Sequence, residues 1–232
     1  FGELLINTIR ISLACLAFGF PAPIVLALLL NELKSARLGK VIQNCTYIPH
    51  FVSLVVACSI VKLFTNETGI IGAFVNAITG ADGNMLNYKE NFLPIYVISN
   101  IWQECGWGSI IYLAALTGID QSLYEAAEVD GAGKWKKVIS ITLPSILPTI
   151  IIMLIMRMGS ILSVGYEKIL LLGNDATSEV SDVLSTYNYE VGIKQSRYSY
   201  SAAIGLFNTL VNLAFVQGAN WISRKVNGYA LW

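Results

Sequence analysis

Charged residues are scarce in this sequence: Asp, Glu, Lys and Arg make up 13% of its 232 residues, about half the share of an ordinary soluble domain. Histidine occurs once, at His50, which excludes a histidine-based metal centre or catalytic cluster. Clustered aspartates, the other route to metal-assisted chemistry inside a membrane, are also missing. The four cysteines (Cys15, Cys45, Cys58 and Cys105) lie in or beside apolar runs. They lack the paired spacing of a zinc site, and a secreted disulfide framework would place them in loops; they read as small membrane-core residues. No G-x-x-x-x-G-K-[ST] stretch occurs, so ATP-driven work would need a phosphate-binding loop on another chain. Internal self-similarity, the usual mark of a secondary transporter, is absent as well.

What fills the chain is apolar sequence, 55% by count, with a mean hydropathy of +0.61. Runs of about 20 residues can cross a hydrocarbon core of roughly 30 Å. Five such runs predict an all-α, polytopic bundle of five transmembrane helices, over residues 11–33, 47–64, 92–117, 145–172 and 202–222. Pro21 and Pro23 predict a kink in the first. Basic residues set the expected orientation. Lys34, Arg37 and Lys40 follow the first run, Lys134, Lys136 and Lys137 lie between the third and fourth, and Arg224 and Lys225 end the chain. These three segments are expected in the cytoplasm, with the amino terminus outside and the carboxyl terminus inside.

One polar island stands out between the third and fourth runs: Glu125-Ala126-Ala127-Glu128-Val129-Asp130-Gly131-Ala132-Gly133, closed by Ile141-Thr142-Leu143-Pro144. Residues 122–129 predict a helix capped by Ser122, with Glu125 in capping-box register and Glu125 and Glu128 favouring its positive end. Ala126 and Ala127 leave the backbone open to a partner's close approach, and Gly131 and Gly133 permit a sharp turn. A second short helix is expected over 134–141, with Leu143-Pro144 turning the chain into the membrane.

Glu-Ala-Ala, three residues, Gly131, nine residues, then Ile141-x-Leu143-Pro144 resembles the signature of the membrane subunits of type I, binding-protein-dependent ABC importers. The stretch from Tyr47 to Ser53, Ile101-Trp102 with Gly106-Trp107, and the terminal Leu231-Trp232 are similar to permeases for oligo- and polysaccharides. The resemblance implies a single transmembrane domain over 1–232, with a cytoplasmic coupling loop at 119–144, in a bacterial cytoplasmic membrane. Family members usually carry one more preceding helix, and the chain, which lacks an initial methionine, is expected to be a fragment without it. Also implied are a second permease subunit, a paralogue on the carbohydrate resemblance, two ATPase subunits holding ATP and Mg, and an extracytoplasmic solute-binding protein. This chain would then be a non-catalytic permease subunit without a cofactor of its own. Glu125, Ala126, Ala127, Asp130, Gly131 and Gly133 become the ATPase-coupling candidates. An importer of amino acids, metals or phosphate keeps the same coupling motif and stays open.

Polar residues inside the runs are the pathway candidates, because ionisable groups at membrane depth usually face a bundle interior or a water-filled cavity. Asn100, Trp102, Gln103, Glu104 and Trp107 lie in the third run, Arg157 in the fourth, and Asn208 and Asn212 in the fifth. Carboxamides lining a sugar path with tryptophan faces stacked on pyranose rings is one reading. Helix-gluing hydrogen bonds and interfacial tryptophans are the other, with Arg157 the expected ion-pair partner of Glu104. Glu167 and Lys168 read as an outer gate, a binding-protein contact or snorkelling side chains.

Overall fold

The computed structural model describes residues 1–80 and 82–228, and among them every regular element is helical. The expected Leu231-Trp232 signature lies outside the described residues. Among the described residues, four stretches are long and apolar enough to cross a membrane: Gly2–Asn31, Leu54–Thr79, Lys134–Met158 and Tyr198–Lys225. A further helix, Lys89–Thr117, has 29 residues, about 43 Å at 1.5 Å per residue. It is long enough to span, and Asn100, Gln103 and Glu104 dilute its apolarity.

Around the expected kink at Pro21 and Pro23 the first crossing runs on as one helix, Gly2–Asn31, that contains a π turn. Helix α1 (Gly2–Ala14) passes through a π-helical turn at Cys15–Gly19 into α2 (Pro21–Asn31). A proline removes one helical N–H and crowds the carbonyl four residues back, and the wider turn just before Pro21 relieves that crowding.

The second run departs from the sequence expectation. Helix α3 (Ala36–Phe51) stops at Val52, whose backbone is extended, and α4 (Leu54–Thr65) starts afresh with Ser53 capping the Val56 N–H at 3.4 Å. Pro49 cannot donate within the last turn of α3, and serine is a preferred N-cap. The chain therefore breaks inside 47–64, and the apolar stretch continues through α5 (Ile70–Thr79).

The 29-residue helix, α6 (Lys89–Thr117), is the centre of the bundle. Near its start Phe92, Tyr96 and Val97 bury against Ile11 of α1, Cys15 of the π turn, Cys58 of α4 and the segment around Ile169. At its far end Tyr112 and Leu116 bury with Ile119 against Ile24 and Ala27 of α2 and Ile146. Between these two cores lie the polar residues Asn100, Gln103 and Glu104 of α6. Gly106 brings α3 so close that a Cβ there would lie 2.0 Å from the Thr46 carbonyl oxygen.

After α6 come two short helices, α7 (Gln121–Val129) and α8 (Lys134–Lys137). A second π turn, Val138–Thr142, leads into α9 (Leu143–Met158). Pro144 was expected to redirect the chain. Instead the helix runs without interruption over Lys134–Met158, because the π turn absorbs the proline as it does at Pro21.

The fourth run, expected to reach Leu172, ends at Met158. Residues 159–165, which include two glycines and two serines, form an irregular segment before α10 (Tyr166–Leu172). Helix α11 (Ser178–Ser181) and α12 (Leu184–Tyr189) follow, then α13 (Tyr198–Asn227), which lies along α9.

Candidate functional site: an exposed helix and a polar cavity

Helix α7 carries no buried residue. Its cap is Asp120, not Ser122: the Asp120 carboxylate accepts the Ser122 N–H at 2.9 Å, which starts the helix a residue earlier than expected. Those hydrogen bonds from Ser122 also hold the Asp120 carboxyl below its ordinary range. At the other end Gly131 has φ +72°, the left-handed conformation that favours glycine. The Ala132 N–H bonds to the Ala127 carbonyl at 2.8 Å, a six-to-one closure of the helix. Gly133, at φ −69°, needs no glycine for its backbone.

Glu125, Ala126 and Ala127 thus lie on one short, presented helix, with Asp130 as its C-cap and Gly131 and Gly133 in the turn that follows. One residue absent from the sequence-based candidates holds that helix to the bundle. The Tyr124 hydroxyl lies 2.9 Å from Thr142 Oγ1, and its ring packs on the Tyr112, Leu116 and Ile146 core. Lys137 reaches Glu128 at 3.2 Å and Lys134 reaches Glu32 at 3.9 Å. Leu123, Val129 and Trp135 are exposed around the helix, so the surface offers apolar contacts beside carboxylates.

A polar cavity of about 430 Å³ lies against the middle of α6, and Asn100, Gln103, Glu104 and Arg157 help to line it. A second of about 530 Å³, nearer α2, shares Asn100, Glu104 and Arg157 with it and adds Trp107. The irregular segment 159–165 forms one wall, through Ser160, Ser163 and Gly165. Non-helical backbone at membrane depth is tolerated where it lines such a cavity.

Arg157 does not take up Glu104. Glu104 Oε2 lies 3.0 Å from His50 Nδ1, whose ring stacks on Trp107 at 4.7 Å and 2°. The early end of α3 carries His50 across to α6, so histidine supplies the contact expected of arginine. Trp102 faces elsewhere, in an apolar groove with Ile60, Phe64 and Ile98. Asn212 accepts the Leu162 N–H at 3.1 Å and so braces segment 159–165 from α13. Asn208, four residues before it, buries its Oδ1 without a hydrogen-bond partner among the described residues. Lys168 is neither snorkelling nor at an outer surface: it is 6% exposed and lines the first cavity.

Residues 19–228 match the family model of the binding-protein-dependent transport system inner membrane component. The chain belongs to this family. Within the family it is 44% identical to the protein LplB of Bacillus subtilis, over all of this chain and 73% of LplB. It is 43% identical to the polygalacturonan/rhamnogalacturonan transport system permease protein YteP of the same organism, over 96% of this chain and 70% of YteP. Among solved structures it resembles the bacterial alginate ABC transporter crystallised with an alginate pentasaccharide-bound periplasmic protein. That likeness has a TM-score of 0.93 and 42% identity, over 100% of this chain and 81% of the other. The MetNI methionine transporter shares the fold, with a TM-score of 0.62 and 15% identity. The family match and the long apolar helices make this a multi-pass membrane protein.

Proposed function

We propose that this chain forms half of the translocation pathway of an ATP-driven importer for an oligosaccharide. The observation that carries the reading is the likeness, over the whole chain, to the alginate transporter, together with relatives named for polygalacturonan/rhamnogalacturonan and arabinooligosaccharides. In this reading α7 is the coupling helix, seated in a cleft of a cytoplasmic ATPase subunit with Glu125 facing a basic group there. Two ATPase chains hold the ATP and Mg, a second permease completes the pathway, and a solute-binding protein delivers substrate from outside. The basic segments after α2, around α8 and at the end of α13 face the cytoplasm. The chain itself performs no catalysis.

The mechanism follows from where the elements meet. ATP binding draws the ATPase subunits together and carries α7 with them. Helix α7 joins α6 to α9, and those two helices line the polar cavities, so its displacement changes which end of the cavity opens. Each ligand shifts this equilibrium only by its difference in affinity for the two states.

The test is to assemble the complete transporter with Glu125→Ala or Gly131→Ala and measure uptake and binding-protein-stimulated ATP hydrolysis. Both variants are expected to lose stimulation and uptake while the complex's basal hydrolysis persists. Wild-type coupling in both would overturn the assignment of α7. Delivery of only amino acids or metal by the cognate binding protein would overturn the saccharide.

A further inference from the structure

We propose that the cavity beside α6 contains a carboxylate subsite built by Lys168 and Arg157, so that the membrane pathway itself selects an acidic, uronate-bearing oligosaccharide. The inference rests on the importer reading and adds the charge of the cargo and the residues that read it.

Lys168 is the observation that requires explanation. It is 6% exposed, and its Nζ has no hydrogen-bond partner among the described residues. The ammonium lies 5.4 Å from the Tyr96 ring centroid, a cation–π contact that offsets only part of its lost hydration. Buried charges are ordinarily paired, and an ionisable group at membrane depth marks a ligand path when it is not. Among the described residues, no unengaged carboxylate lines this cavity. Glu104 is the one acidic residue lining this cavity, and His50 occupies it at 3.0 Å.

Arg157 stands on the same cavity and on the adjoining one. It makes no ion pair within 4 Å among the described residues. The two cations come from opposite sides of the irregular segment, Arg157 from the end of α9 and Lys168 from α10. The break in the helix is what turns both onto one wall. Ser160 and Ser163 line the same wall and suit the hydroxyls of a sugar ring. A volume of about 430 Å³ falls within the roughly 300–1,000 Å³ of small-ligand pockets. A neutral sugar would satisfy the hydroxyls and leave both cations unpaired, whereas a uronate supplies a carboxylate to each in passing. Charge-assisted hydrogen bonds of this kind are the strong ones, and guanidinium matches carboxylate geometry.

The experiment uses the complete transporter in proteoliposomes, with tetragalacturonate and maltotetraose as probes and the binding protein supplied at saturation. Wild type is expected to take up the acidic tetramer in preference to the neutral one. Lys168→Gln and Arg157→Gln are each expected to lower uptake of tetragalacturonate by about tenfold or more, the value of a hydrogen bond to a charged group. Stimulation of ATP hydrolysis by loaded binding protein should persist in both, and Lys168→Arg should restore uptake. Unchanged uptake in both Gln variants would overturn the subsite. So would joint loss of uptake and stimulated hydrolysis that Lys168→Arg fails to rescue, since that pattern marks a structural lysine. Wild-type uptake of maltotetraose alone would overturn the acidic cargo and leave the importer reading standing. Uptake of neither saccharide would overturn both readings.

Discussion

Single residues in this protein are constrained most tightly where two backbones touch. Gly106 is such a place, because any Cβ would sit 2.0 Å from the Thr46 carbonyl oxygen and backbone cannot swing aside as a side chain can. Gly106→Ala is expected to force α3 from α6 and destabilise the detergent-solubilised protein by about 1–3 kcal/mol or more, read as a fall in Tm. Gly133→Ala, with open space and an ordinary φ, is the control that should leave Tm unchanged. Asp120 carries the pH dependence of α7. Its hydrogen bonds from Ser122 lower its pKa, so its stabilisation is complete above the unfolded aspartate range. That stabilisation is lost as pH falls through the lowered folded value. The protection factor of the Ser122 amide, its exchange rate relative to the intrinsic rate at each pH, should therefore fall on acidification, and Asp120→Asn, which caps without titrating, should flatten the profile. The cap itself was misplaced from the sequence because Asp120 and Ser122 are both good cap residues and the hydrogen bond alone distinguishes them. Glu104 was legible as a membrane-depth carboxylate. Its partner was not, because His50 lies 54 positions away and no local periodicity links α3 to the middle of α6.

At the scale of elements, hydropathy locates the crossings well and their interruptions poorly. Proline positions were visible at Pro21 and Pro144, yet the same residue reads as a kink or a redirection. The structure instead answers both with a π turn immediately upstream. The α9–α10 break was hidden for a different reason: Ile161, Leu162 and Val164 keep the apolar average high across 159–165 while the glycines and serines among them end the helix. Such a segment must find partners for its backbone within the protein. Asn212 provides one for the Leu162 N–H. Asn212→Ala is expected to orphan that amide and cost about 1–3 kcal/mol, lowering Tm. Asn212→Gln, which moves the carbonyl outward by a methylene, should recover little. An Asn212→Ala protein as stable as wild type would mean that water inside the cavity satisfies Leu162 without help from α13.

Across the whole molecule, α6 connects the two candidate sites. Its middle lines the polar cavities and its end is packed in the core that holds Tyr124. The α7 signature was readable because its residues are contiguous and specify one turn. The cavity was readable only in part, because residues of α1, α3, α6, α9 and α10 meet there and their meeting depends on three helix breaks. Transmission between the sites requires that α7 not move independently of the bundle. The surface pairs of Lys134 and Lys137 involve largely exposed partners and are worth little as restraints. The Tyr124–Thr142 hydrogen bond is different, since it links α7 to the start of α9 beside a packed ring. Tyr124→Phe retains the ring and deletes the hydroxyl, so in the proposed importer docking of an ATPase subunit on α7 should be unchanged. Loss of one hydrogen bond of about 1 kcal/mol corresponds to roughly fivefold in the balance between a latched and a slipping helix. The expected result is a severalfold fall in substrate moved per ATP hydrolysed, with stimulated hydrolysis near wild type. An unchanged transport-to-hydrolysis ratio would show that ring packing alone transmits the motion, and Tyr124→Ala would then be the variant that uncouples.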